Sequence, residues 1–276
     1  MNVNILFLYP DFMSLYGDNG NVRIMQKRLE DQGFEVAVIK RTITDNDISF
    51  EGIDFVYMGS GFESNRNLAA KHLASFKDAL TKAIDDGVPM LFTGNSYDIL
   101  GKGITSPDGS FVEGLGIFNY TFKEQLEKRY TGDVILADKE TGDRYVGFVN
   151  RAGVPDNEED LAYDVLKVIG NIPLKKDSVK KNNLLGISLI GPVLLKNPKI
   201  ADSFVKIICE RRGTESKEIE YPHSLKSHIT RIVLSASFTD ETQIVSESRP
   251  RNRYGNRNRV GFRHERVLYA FLGLFA

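Results

Sequence analysis

The chain has 276 residues, 41% of them hydrophobic and 26% charged, with a formal net charge of −1. That length suits one large domain, or one domain with an appendage, and the charge balance gives no global pull toward nucleic acid or an anionic membrane. A single cysteine, Cys209, excludes an internal disulfide framework and any cysteine-rich metal site. No metal and no cofactor is expected. No apolar run reaches 18 residues, and the apolar start VNILFLYP lacks a basic leader and a cleavage site, so a cytoplasmic α/β protein without a membrane span is expected.

Residues 3–9, VNILFLY, are continuously apolar and suit a strand buried on both faces. A loop follows in which Asp18 and Asn19 read as turn or capping residues. Val22, Met25 and Leu29 then recur at helical spacing up to Gly33. FEVAVIK (34–40) and DFVYM (54–58) are the next strands, and the loop GSGFESN leads into one long amphipathic helix through residues 68–87. VPMLF (88–92) is a fourth strand. It runs into a turn, Thr93-Gly94-Asn95-Ser96, after which Tyr97, Asp98, Ile99 and Leu100 open a helix. Strands alternating with helices imply a mostly parallel sheet.

The middle is less regular. EGLGIFNYTF (113–122), TGDVILAD (131–138) and DRYVGFVNRAG (143–153) read as short strands with an antiparallel portion. Residues 184–189 form another apolar strand, and Asn197-Pro198 starts a helix with Ile200, Phe204 and Ile207/Ile208 on one face, ending by Gly213. Cys209, on the apolar side of that helix, reads as a buried small hydrophobe. Residues 1–212 make one domain, and 213–276 an appendage whose fold the sequence does not specify. Within the appendage, 249–266 carries seven arginines against one glutamate.

A sharp strand-to-helix turn is where many α/β hydrolytic enzymes hold a nucleophile. Here the apex is Gly94. LYPDFMSLYGDNGN, GSGFE, GNSYDILG, EGLGIF, GFVNRAG and LIGPVLLKNPKIAD follow one another in this order. Over residues 1–212 the sequence resembles the class I glutamine amidotransferases of the cobyric-acid-synthase type, most of all the glutaminase subunits of lipid II isoglutaminyl synthase. The resemblance implies a flavodoxin-like α/β fold with flanking helices and a mostly parallel central sheet. Gly94 would then end a central strand.

The family's elbow reads Cys-Gly-Gly-Tyr-Gln, and its base lies in Tyr-Leu-His-Gly-Pro. On this chain the nucleophile position falls on Gly94 and the base position on Ile190. The resemblance further implies an oxyanion loop at Gly59-Ser60-Gly61, with Asn95 beside it, and an arginine near Arg129 that would hold a glutamine carboxylate. An ordinary turn at 59–61 and a solvated Arg129 remain the plain alternatives. Phe62, Asp98 and Arg151 also depart from the family pattern, and Asp11, Tyr16 and Asp18 match its start without an assigned mechanism.

Glutamine hydrolysis needs a thiolate and an imidazole, and isoleucine can neither accept nor donate a proton. Thr93 and Ser96 offer hydroxyls, but of the four histidines His72 follows the GSGFE loop and His223, His228 and His264 lie in the appendage, so a surface or capping role is expected for both. The implied function is a glutamine-amidotransferase-like subunit without intact catalysis, a structural or regulatory partner of a Mur-ligase-like synthetase in peptidoglycan precursor amidation. An active glutaminase supplying that synthetase with ammonia is the first alternative. The second is a nucleic-acid-associated protein acting through its arginine-rich end, which carries no recognisable RNA-binding motif and has Tyr254 and Phe262 as stacking groups.

Overall fold

In the structure, a computed structural model that describes residues 1–221, Val3, Ile5, Leu6, Phe7 and Leu8 of strand β1 (Asn2–Leu8) are all buried. β1 pairs in parallel with β2 (Glu35–Arg41) on one side and β3 (Phe55–Met58) on the other. β3 pairs in parallel with β4 (Met90–Thr93). Between these strands run helices α1 (Asn19–Asp31), α2 (Glu63–Ala74) and α3 (Lys77–Asp85).

After β4 the chain makes four short strands, β5 (Gly103–Thr105), β6 (Phe111–Glu113), β7 (Thr121–Glu124) and, later, β10 (Gly153–Pro155), which form a small sheet in the order β10-β7-β5-β6. β8 (Tyr130–Asp138), β9 (Arg144–Arg151), β11 (Leu161–Gly170), β12 (Lys176–Lys181) and β13 (Leu184–Ile187) complete the large one, ordered β2-β1-β3-β4-β13-β12-β11-β8-β9. β13 is parallel to β4, and every pairing beyond it is antiparallel. The first five positions have the flavodoxin-like order, whose ligand crevices lie outside the carboxyl ends of the strands. Gly94 follows the last residue of β4 at that edge.

Alternate residues of the central strands feed opposite cores, as a period of two requires. Leu6, Leu8, Val56, Met58, Met90 and Phe92 pack with Leu73, Leu80 and Ile84 of α2 and α3. Ile5, Phe7, Phe55, Tyr57 and Leu91 pack with Met25 and Leu29 of α1. Two further helices, α4 (Val193–Lys196) and α5 (Pro198–Arg211), follow β13, and Phe204, Ile208 and Cys209 of α5 join this second core. α5 stops where Gly213 takes φ +70°, with Thr214 N–H donating to Cys209 O (2.9 Å) and Gly213 N–H to Glu210 O (3.0 Å). This is a Schellman cap.

Residues 214–221 return to α1. Lys217 N–H donates to Gln32 Oε1 (2.6 Å), Tyr221 OH donates to Asp31 (3.1 Å), and Arg28 lies 4.3 Å over the Tyr221 ring. Residues 222–276, with the arginine-rich stretch and the nucleic-acid reading built on it, lie outside the described residues.

Three expected elements differ. The long helix over 68–87 is two helices, broken at Ser75-Phe76, where the N–H groups of both residues reach back only three positions, to His72 O and Leu73 O. The Phe76 ring packs on His72 (5.4 Å between centroids), and the break lets Leu80, Ala83 and Ile84 reach the core. The helix expected from Tyr97 is a seven-residue 3₁₀ segment, Gly94–Leu100, that does not continue. Its carbonyls are taken elsewhere: Tyr120 OH donates to Tyr97 O (2.6 Å), Leu115 N–H to Ile99 O (2.7 Å) and Ile117 N–H to Leu100 O (2.9 Å). Those donors come from 113–122, which is therefore mostly a loop stitched to the turn rather than a strand.

Candidate active site at the elbow

Gly94 has φ +60°, a conformation that strains any residue with a Cβ. Space is also lacking. A Cβ placed there would lie 2.5 Å from Ser60 Oγ, 2.7 Å from Ser60 Cβ and 2.8 Å from Ile190 Cγ2. The apex of the turn is thus walled by the two segments expected to supply an oxyanion loop and a base. Gly94 N–H donates to Leu189 O (3.0 Å), and Ile190 N–H to Phe148 O (2.9 Å), which fixes the 188–192 segment against the elbow.

Gly59, Ser60 and Gly61 follow β3 and are themselves covered. A Cβ on Gly59 would meet Met13 O at 2.5 Å, and one on Gly61 would meet Phe12 O at 2.6 Å, so the loop after β1 requires glycine at both places. Asn95 grips the same loop. Its Oδ1 accepts from Gly61 N–H (3.0 Å) and Ser60 Oγ (3.1 Å), and its Nδ2 donates to Gly61 O (2.7 Å). Asn95 N–H points at Ser60 Oγ (3.4 Å). The Gly61 N–H of this loop is therefore already bonded to a carboxamide oxygen of the protein.

Arg129 is about half exposed and occupied on both sides. It pairs with Glu63 (2.8 Å), two residues past Gly61, and its Nε–H donates to Asn150 Oδ1 (2.6 Å); Asn150 in turn donates to Tyr16 OH (3.1 Å).

Two buried polar networks flank the elbow. Beneath it, Thr93 Oγ1 and Tyr57 OH share a hydrogen bond (2.8 Å), Asn21 donates to Tyr57 OH (2.8 Å) and to Gly191 O (3.0 Å), and Tyr16 N–H donates to the Asp18 carboxyl (3.1 Å). Burial pushes Asp18 up to about 6, with the Tyr16 and Ser60 N–H groups opposing. To the side, Arg66 pairs with Asp98 (3.1 Å) and Glu124 (2.8 Å), and Arg151 with Asp98 (3.4 Å) and Asp177 (3.5 Å). Arg151 also donates to Tyr97 OH (2.7 Å), and Ser188 Oγ donates to Asp177 (2.6 Å). Every one of these ionic side chains is at most 8% exposed. Desolvation raises Asp98 to about 6 despite the opposing fields of Arg151 and Arg66.

The sequence profile of the CobB/CobQ-like glutamine amidotransferase domain matches residues 4–197. The chain belongs to that family. It is 34% identical over 221 residues to the lipid II isoglutaminyl synthase (glutamine-hydrolyzing) subunit GatD of Staphylococcus aureus, covering 79% of this chain and 90% of that protein. With the GatD of Streptococcus pneumoniae the identity is 27% over 214 residues, covering 76% and 82%. A chain of PurLQS from Thermotoga maritima superposes with a TM-score of 0.48 at 15% identity, covering 76% of this chain and 97% of that one.

Against the amidotransferase pattern, the structure brings Gly94, Ile190, Ser60, Gly61 and Asn95 together at the elbow and leaves Arg129 bound to Glu63. Thr93 and Ser96 are not at the surface. Both are fully buried, and Ser96 Oγ donates to Met58 O (3.0 Å) and Thr93 O (2.8 Å). His72, the one histidine among the described residues, bonds Tyr9 OH through Nδ1 (2.9 Å). Cys209 is buried, and burial raises its thiol. Sequence reasoning did not single out Arg66, Asp177 or Glu63. Only their fold neighbours, far away along the chain, reveal them. A cavity of about 720 Å³ opens at the opposite edge of the sheet, rimmed by the ion pairs Arg212–Asp54 and Lys82–Asp86. None of the elbow residues lines it. No helix among the described residues is long and apolar enough to cross a membrane.

Proposed function

We propose that the chain is a glutamine-amidotransferase-fold subunit that does not hydrolyse glutamine. In this reading it pairs with a Mur-ligase-like synthetase that amidates lipid II, as a structural or regulatory partner. Its similarity to GatD subunits supports the pathway. The observation that carries the loss of chemistry is the wall around Gly94. A nucleophile there has neither room for its Cβ nor a base beside it, because Ser60 and Ile190 fill the space. Residues of a catalytic unit fail together, so the remaining scaffold does not rescue the rate. Neither buried hydroxyl substitutes, since Thr93 is bonded to Tyr57 and Ser96 to backbone carbonyls.

The test is amidation of lipid II by the synthetase complexed with this chain. Ammonium should support the reaction and glutamine should not. Amidation driven equally well by glutamine alone would overturn the proposal.

A further inference from the structure

We infer that the site does not merely fail to hydrolyse glutamine but excludes it, because its own side chains satisfy the groups that would bind the ligand. This rests on the proposed reading of the elbow and goes a step further, since an inactive site could still bind glutamine as a sensor.

A glutamine ligand brings two recognisable ends, a carboxamide and a carboxylate. Both have stand-ins here. At the elbow, the Asn95 carboxamide lies on the Gly59–Gly61 loop, its oxygen on Gly61 N–H and its nitrogen on Gly61 O. Ser60 Oγ donates to the same Asn95 oxygen and closes the space beside Gly94. Asn95 is 7% exposed and Ser60 2%, so these bonds are sheltered from water and are not exchanged freely for a ligand's. At the mouth, the Glu63 carboxylate takes the guanidinium of Arg129. A ligand carboxamide would have to break the three Asn95 side-chain contacts to reach the loop, and a ligand carboxylate would have to compete with Glu63 for Arg129. Neither exchange creates a bond of a kind that the protein lacks. Ser60, Glu63 and Asn95 are therefore the specificity-determining residues of the vestigial site, selecting against its ancestral class of ligand.

The experiment is isothermal titration of L-glutamine into the full chain and into a Ser60→Gly/Glu63→Gln/Asn95→Gly variant, with folding of both checked by thermal melting. Glutamate release is followed in the same samples. The native chain should show no saturable binding at millimolar glutamine, and the variant should bind it at least ~10-fold more tightly than the native limit. Saturable binding to the native chain overturns the inference. So does a folded variant that binds no better. Binding to the native chain without glutamate release sinks this inference alone, whereas glutamate release by the native chain sinks the proposed function as well. If the variant does not fold, the native chain still decides. The Gly61 N–H and Asn95 side-chain NH₂ resonances should stay unshifted when glutamine is added, and a saturable shift in them contradicts the proposal.

Discussion

The Cγ2 methyl of Ile190 stands 2.8 Å from the place a Cβ on Gly94 would take, and Gly94 N–H donates to the carbonyl of Leu189, the residue before Ile190. The two positions that resemblance assigns to nucleophile and base therefore do meet at one point, as a glycine against an isoleucine.

Gly94→Cys should destabilise the protein. The substitution puts a side chain at φ +60° and against Ser60, costs that together are on the order of 2–5 kcal/mol. Adding Ser60→Gly removes the nearest obstacle and should recover part of the loss non-additively. Urea midpoints of the three proteins measure this. A Gly94→Cys protein as stable as the native one would mean that the elbow is not walled as described.

Restoring chemistry needs both sides of the contact. In a Gly94→Cys/Ser60→Gly background, Ile190→His should lower the thiol pKa by pairing it with an imidazolium. The pH dependence of alkylation reads this directly. An unchanged thiol pKa would show that an imidazole at 190 does not reach the residue at 94.

Arg151 and Asp98, two of the positions at which the sequence resemblance implies a departure, are partners in a buried ionic cluster. Removing one member leaves a buried charge uncompensated. Arg151→Leu should therefore cost roughly 3–5 kcal/mol, and the double change with Asp98→Asn should cost less than the sum of the two single changes. Strict additivity would mean that the two do not interact.

Acidification should stabilise the fold through two carboxyls. Burial raises both Asp18 and Asp98 from 3.8 to about 6. A raised folded-state value means that the native state binds the proton more tightly than the unfolded chain does. The contribution is complete below the unfolded value and is lost as pH rises through about 6. The Asp18 part is isolated by comparing native protein with Asp18→Asn: between about pH 5 and about pH 7.5 the native protein should lose more stability than the variant. An identical slope for the two would contradict the assignment.

The parallel half of the fold was legible because β1, β3 and β4 are buried on both faces: VNILFLY and DFVYM read as strands from composition alone. The antiparallel half was less so. β11 and β12 carry no clear strand pattern, since strands such as LAYDVLKVIG mix lysine and aspartate with apolar residues on a face that is only half covered. The break at Ser75-Phe76 and the early end of the helix at the elbow depend on distant groups, the core and Tyr120, that leave no local signature. At the site, the meeting of Gly94 with Ile190 followed from aligned motifs. The closure by Asn95 and Ser60 did not, because a glycine replaced by asparagine gives no hint of where its carboxamide will point. Arg66 was invisible for the same reason: a buried arginine looks like a surface one until Asp98 and Glu124 are placed beside it.

The most direct measurement is glutamate release from L-glutamine by the full chain, alone and mixed with the Mur-ligase-like synthetase proposed as its partner while that synthetase is turning over. Release no faster than a buffer control is expected in both states, because Ser60 and Ile190 close the space beside Gly94. Sustained release of glutamate that tracks the amount of this chain would contradict it.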